Sequence, residues 1–114
     1  MPLQDKPIGP ALLAIHQAPE HPWSLELLAS EVAMSRSAFA ARFKIFMDET
    51  PMKYLLNWRM SIAVAWLKEG NLSIAELASR LGYQSEAAFS RAFKRAIGVS
   101  PGQIRPNTGS NGTA

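Results

Sequence analysis

The chain has 114 residues, 47% of them hydrophobic, and no cysteine, so it can fill a single core while disulfides, thiolate metal sites and thiol nucleophiles are excluded. A formal charge of +3 is compatible with a polyanionic partner without requiring one. The signs are segregated: residues 20–31 hold Glu20, Glu26 and Glu31 and no Lys or Arg, whereas 36–59 and 91–105 hold most of the cations.

Near the start, Ala11-Leu12-Leu13-Ala14-Ile15 is too short to span a membrane, and Asp5 before it with His16 after it does not suit a signal peptide. The run reads as an amphipathic helix over 8–17, with Trp23 as a plug beneath it. Ser24 is placed to cap a short helix whose Leu25, Leu28, Ala29 and Val32 share one stripe. After a tight turn, Ser35 caps a second helix with Phe39, Phe43 and Phe46 directed inward. Pro51 to Glu69 then reads as one long helix, with proline in its first turn and Gly70 as its stop. Its Leu55, Leu56, Trp58, Met60, Ile62, Ala63, Ala65, Trp66 and Leu67 are apolar on nearly every side, as expected of a strut buried between two bodies.

The pattern then repeats. Ser24 to Met34 aligns with Ser73 to Tyr83 at an offset of 49, and after the extra Gln84 the offset becomes 50: Ser35, Ala38, Phe39, Phe43, Lys44 and Pro51 match Ser85, Ala88, Phe89, Phe93, Lys94 and Pro101. Ser73 caps Ile74, Leu77, Ala78 and Leu81, and Gly82 makes the turn, where a positive φ is cheap. Ser85 caps a helix with Phe89, Phe93 and Ile97 inward, and Gly98 ends it. Two short helices joined by a tight turn form a helix-turn-helix, here present twice. The fold class is therefore all-α: two helix-turn-helix subdomains joined by a long central helix, about seven helices in all. The expected organisation is an N-terminal extension over 1–7, the double motif over 8–105 and a disordered tail over 106–114 without an apolar anchor.

The faces that the core leaves free indicate the chemistry. With the phenylalanines inward, Arg36, Ser37, Ala40, Ala41 and Lys44 point outward on one helix, and Glu86, Ala87, Ser90, Arg91 and Lys94 on the other. Small residues let a helix enter a major groove about 12 Å wide. Arg36 and Arg91 have the donor fork for guanine edges, Ser37 and Ser90 can bond a base or a phosphate, and Ala40, Ala41 and Ala87 can touch thymine methyls. Glu86 either accepts from cytosine N4 or simply favours its helix N-terminus. Arg42, Lys44, Lys53, Arg59, Arg80, Lys94, Arg95 and Arg105 are the candidate phosphate contacts, which set register rather than sequence. A strut that held the two faces about 34 Å apart would let one monomer enter successive grooves. The rival class, an enzyme, has little to stand on: His16 and His21 straddle a Pro19/Pro22 break and fall short of a three-ligand metal site. A helical module that contacts RNA polymerase or a partner subunit is the alternative, and both roles can coexist.

The stretch Gly82-Tyr83-Gln84-Ser85-Glu86-Ala87-Ala88-Phe89-Ser90-Arg91-Ala92-Phe93-Lys94-Arg95, followed by Gly98-Val99-Ser100-Pro101, resembles the C-terminal signature of AraC/XylS-type transcription regulators. Pro22-Trp23-Ser24-Leu25, Met34-Ser35-Arg36-Ser37-Ala38-Phe39 and Tyr54-Leu55-Leu56-Asn57-Trp58-Arg59-Met60 fit as well, so the similarity covers about residues 8–105. It implies seven helices, no cofactor and no catalysis, and a bacterial, cytoplasmic, nucleoid-associated activator that binds double-stranded promoter DNA and recruits RNA polymerase, with no membrane association. The isolated domain is expected to be monomeric. The base-reading positions it implies are Arg36, Ser37, Ala40 and Ala41, and Glu86, Ala87, Ser90 and Arg91. Two positions depart from the pattern: Ala41 stands where a basic side chain is common, and Ile104 where an aromatic usually precedes Arg105. Most such regulators carry a separate effector or dimerisation domain, for which a chain of this length leaves no room; the resemblance implies either an excised DNA-binding half or a small stand-alone regulator.

Overall fold

A computed structural model describes residues 8–106; the extension over 1–7 and the tail from 107 onward lie outside the described residues. Among the described residues seven helices follow one another: α1 (Ile8–Gln17), α2 (Leu25–Glu31), α3 (Arg36–Met47), α4 (Pro51–Glu69), α5 (Ile74–Arg80), α6 (Glu86–Ile97) and α7 (Pro101–Ile104). No strand occurs among the described residues, and no described helix is long and apolar enough to cross a membrane. The chain divides into two compact units, one ending at Trp58 and the other beginning at Arg59.

Helix starts follow the hydroxyl residues. The Ser24, Ser35, Ser73 and Ser85 hydroxyls accept from the backbone N–H of Leu27, Ala38, Glu76 and Ala88 at 3.1, 3.2, 3.0 and 3.0 Å, each satisfying a donor the helix cannot satisfy itself. Glu76 reaches back to the Ser73 N–H at 2.9 Å, completing a capping box. That backbone bond, then the Ser73 hydroxyl, holds the Glu76 carboxyl below the usual carboxylate range, with Arg80 and Arg105 adding to the effect. Thr50 caps α4 in the same manner, accepting from Lys53 N–H at 3.2 Å.

In the first unit α1, α2 and α3 pack on one another. Their shared core holds Ile8, Ala11, Ile15, Leu28, Ala29, Phe39, Phe43 and Leu55, with Phe46 and Trp23 packed against it. The Trp23 indole N–H donates to the Ala18 carbonyl at 2.9 Å, which fixes the plug. His16 shares a 2.6 Å hydrogen bond with the Tyr54 hydroxyl and packs its ring 4.4 Å from that of Trp58. His21 lies with its ring 4.4 Å from Trp23, so the two histidines go to separate aromatic partners. Burial, and then the charge of Glu49, raises the Tyr54 phenol above its ordinary value. The Trp58 Nε1 is shielded from water and finds no hydrogen-bond partner among the described residues, a cost of about 1–3 kcal/mol set against the ring's apolar burial.

In the second unit α6 packs on both α5 and α7. Met60, Ala63, Leu67, Leu77, Ala78, Leu81, Phe89 and Phe93 are fully buried, and each buried phenylalanine contributes about 1.5–3 kcal/mol by leaving water. Ile97, expected inward, is instead 39% exposed. It is the last residue of α6 and lies about 80° round the helix from Phe89 at 3.6 residues per turn, at the rim of the core. α4 is apolar as read, but Ala65 and Met52 face solvent while Leu56, Ile62 and Trp66 are half-buried. Pro106, assigned by composition to the tail, is half-buried beside Gly70.

The repeat explains two strained positions. Gly82 at φ 88° and Gly98 at φ 101° hold left-handed backbone in the second unit, and the aligned residues of the first unit are Ala33 at φ 57° and Asp48 at φ 61°. A non-glycine residue there costs roughly 1–2 kcal/mol. Ala33→Gly is therefore expected to be neutral or stabilising by up to about 1 kcal/mol, whereas Gly82→Ala should destabilise by about 1 kcal/mol or more. Urea titrations of the two variants check the opposite signs.

Candidate nucleic-acid interface

The outward faces emerge from the capped helices. On α3, Arg36, Ser37, Ala41, Arg42 and Lys44 are exposed and Ala40 is half-buried; on α6, Glu86, Ala87, Arg91, Lys94 and Arg95 are exposed and Ser90 is half-buried. Ala40 and Ser90 occupy aligned positions, so the two units place the edge of the face at the same point of the repeat. Phe39, Phe43, Phe89 and Phe93 sit at 0% exposure and are core residues, not platforms for stacking.

The two faces differ in what they present. On the second unit Ser90, Arg91, Lys94, Arg95 and Ser100 line one shallow concavity, gathering three cations and two hydroxyls. The aligned positions of α3 carry Ala41, Lys44 and Ile45, and Ile45 is 83% exposed. One cation therefore stands where the second unit has three. Ile45 and Ser100 lie outside the base-reading and phosphate sets that the sequence offers, although the repeat marks both: Ile45 aligns with Arg95, and Ser100-Pro101 with Thr50-Pro51.

Arg36 has an internal neighbour. Its guanidinium lies 3.9 Å from the Glu26 carboxylate, both side chains mostly exposed. Such a pair adds little stability, but it gives Arg36 a preferred direction across the turn between α2 and α3. Nothing in the spacing of Glu26 and Arg36 announces this contact, because it depends on how the turn folds back.

The candidate phosphate cations fall into two groups. Arg42, Lys44, Lys53, Arg80, Lys94 and Arg95 are exposed. Arg59 and Arg105 are half-buried and engaged inside the second unit: Arg105 donates to the Leu72 carbonyl at 2.5 Å, tying the end of α7 to the loop before α5, and Arg59 stands over the Tyr83 ring at 5.9 Å. Burial pushes the Tyr83 phenol above its ordinary value, and the charge and hydrogen bond of Arg59 draw it part of the way back. No group of three or more His, Asp or Glu able to hold a metal comes together among the described residues.

Comparison with known proteins agrees with this architecture. A family model described as a helix-turn-helix domain matches residues 28–107. The chain is 43% identical over 103 residues to an AraC-like transcription regulator of Streptomyces antibioticus, covering 90% of this chain and 34% of the relative. It is 48% identical over 95 residues to the HTH-type transcriptional regulator AlkR of Acinetobacter baylyi, covering 83% of this chain and 31% of AlkR. The chain thus spans about a third of the length of these curated relatives. Among solved structures, the C-terminal domain of AraT, a response regulator from Geobacillus stearothermophilus, superposes with a TM-score of 0.84 at 30% identity, over 89% of this chain and 84% of that one. The DNA-binding domain of AdpA, solved in complex with a target DNA, matches with a TM-score of 0.74 at 29% identity, over 90% of this chain and 94% of that one. With a repeated helix-turn-helix and these relatives, the chain belongs to the AraC-type family of helix-turn-helix DNA-binding transcription regulators, a family of regulators and not of enzymes.

Proposed function

We propose that the chain reads double-stranded promoter DNA with α3 and α6, each inserted into a major groove, and that the second unit supplies most of the hydrogen-bonded specificity. The observation that carries this reading is the duplicated capped helix whose outer face is small and polar, ending at the concavity of Ser90, Arg91, Lys94, Arg95 and Ser100. The bound DNA of the AdpA domain lends it support. The base-reading set is Arg36, Ser37, Ala40, Ala41, Glu86, Ala87, Ser90 and Arg91. In the first unit Ala40 and Ala41 contribute thymine-methyl contacts beside one arginine, whereas in the second Glu86, Ser90 and Arg91 contribute donors and acceptors. Arg42, Lys44, Lys53, Arg80, Lys94 and Arg95 hold phosphates. One monomer would engage two half-sites, about 34 Å apart when the grooves are successive. A site whose natural groove spacing does not match would have to bend. In the cell, the whole regulator would act in the bacterial cytoplasm on nucleoid DNA and recruit RNA polymerase as an activator.

The phosphate role is tested by salt. Lys94→Ala should weaken binding to selected and unrelated duplexes alike and lower the slope of log affinity against log salt by about 0.9, one released counterion's worth. Fluorescence anisotropy at several salt concentrations reads both. An unchanged slope would remove Lys94 from the interface.

A further inference from the structure

Arg59 is the first residue of the second unit and lies on α4, where sequence alone makes it one more cation for DNA. The structure gives it a different neighbour. Its guanidinium sits over the Tyr83 ring, 5.9 Å from the centroid. Tyr83 belongs to the turn of the motif: its backbone N–H donates to the Ala78 carbonyl at 3.0 Å, closing α5, and it stands two residues ahead of Ser85, the cap of α6. Its ring meets that of Phe89 edge-on, with centroids 5.5 Å apart, and Phe89 is at 0% exposure in the core under α6. A continuous set of contacts therefore runs from α4 through the turn to the root of the DNA-facing helix.

We propose that Arg59 is a positioning residue for α6, which sets the angle of that helix through Tyr83 and does not itself touch DNA; the proposal rests on the DNA-reading assignment above. A planar guanidinium suits this task, since it can lie over an aromatic face and donate a hydrogen bond at the same time. The first unit has no equivalent, because Met34 stands at the position aligned with Tyr83. Losing Arg59 should then disturb base reading by the second unit and leave the first unit's preferences in place.

The test uses the full chain carrying Arg59→Ala, Arg59→Lys or Tyr83→Phe, with Arg91→Ala alongside. Each is put through selection from a randomised duplex library and salt-dependent binding. Arg59→Ala is expected to lose about threefold to thirtyfold in affinity for the selected site, the range of a cation–π contact between exposed and desolvated settings. Base preference should relax in one half-site only, and the salt slope should stay as in the parent. Arg59→Lys should fall between, and combining Arg59→Ala with Tyr83→Phe should cost less than the two separate losses together. A salt slope lower by about 0.9 with equal loss on every duplex would make Arg59 a phosphate contact and overturn the proposal, as would unaltered selection. If Arg59→Ala does not fold, Arg59→Met, which keeps the apolar stem but removes the cation over the ring, carries the same test: one relaxed half-site at unchanged slope supports the proposal, and unaltered selection refutes it. Arg91→Ala separates the two possible failures. If it relaxes a base while Arg59→Ala changes nothing, positioning alone is wrong; if neither has an effect, the DNA-reading assignment has failed.

Discussion

Replacing Phe93 by alanine is expected to destabilise the second unit by about 3–5 kcal/mol, the usual cost of emptying a buried phenylalanine site. Phe93 is at 0% exposure, with its ring 5.6 Å from that of Phe89, and α6 packs on α5 on one side and α7 on the other. A small unit with helices on several sides cannot collapse into the vacated volume without moving the helix that carries Arg91. The loss is a large share of the roughly 5–15 kcal/mol that holds an ordinary domain together. Phe93→Leu, which keeps most of the volume, should lose much less. Urea unfolding followed by far-ultraviolet circular dichroism measures both; a loss under about 1 kcal/mol for the alanine variant would mean that the pair of rings is not the centre of this core.

The second large effect falls on binding. Arg91→Ala should cost about 1–3 kcal/mol on the preferred duplex and relax discrimination at a single base pair. Arg91 is exposed, lies in the same concavity as Lys94 and Arg95, and is the only member of the trio assigned to a base edge. The cost should therefore depend on sequence: large on the preferred base pair and small on its substitutes. Competition binding against duplexes altered one position at a time reads the pattern. A uniform loss on all of them would move Arg91 to the phosphate group.

Much of this was legible in the chain itself. Helix boundaries are local chemistry: a serine hydroxyl reaches a backbone N–H three residues on, so Ser24, Ser35, Ser73 and Ser85 mark helix starts wherever the tertiary structure lies. Pro51 and Gly70 bracket α4 for equally local reasons. Phe39, Phe43, Phe89 and Phe93 follow from helical period alone. What periodicity cannot show is where a long cation ends up. Arg59 meets Tyr83 and Arg105 meets the Leu72 carbonyl only because separate helices pack, and Arg36 faces Glu26 only because a turn folds back. Left-handed backbone is legible at Gly82 and Gly98 but hidden at Ala33 and Asp48, where only alignment with the second copy reveals it. Ile97 departs from the inward stripe because the stripe drifts at the helix end, where fewer neighbours cover it.

The inequality of the two units is the claim that organises these results, and selection of bound duplexes from a randomised library, repeated at several salt concentrations, tests it most directly. The expected product is a bipartite site with two motifs about one helical turn apart, one sharply defined and lost in Arg91→Ala, the other thymine-rich and weakly defined. Two motifs of equal sharpness, or a single motif indifferent to Arg91, would contradict the account, and a library that enriches nothing would point to a protein-binding role.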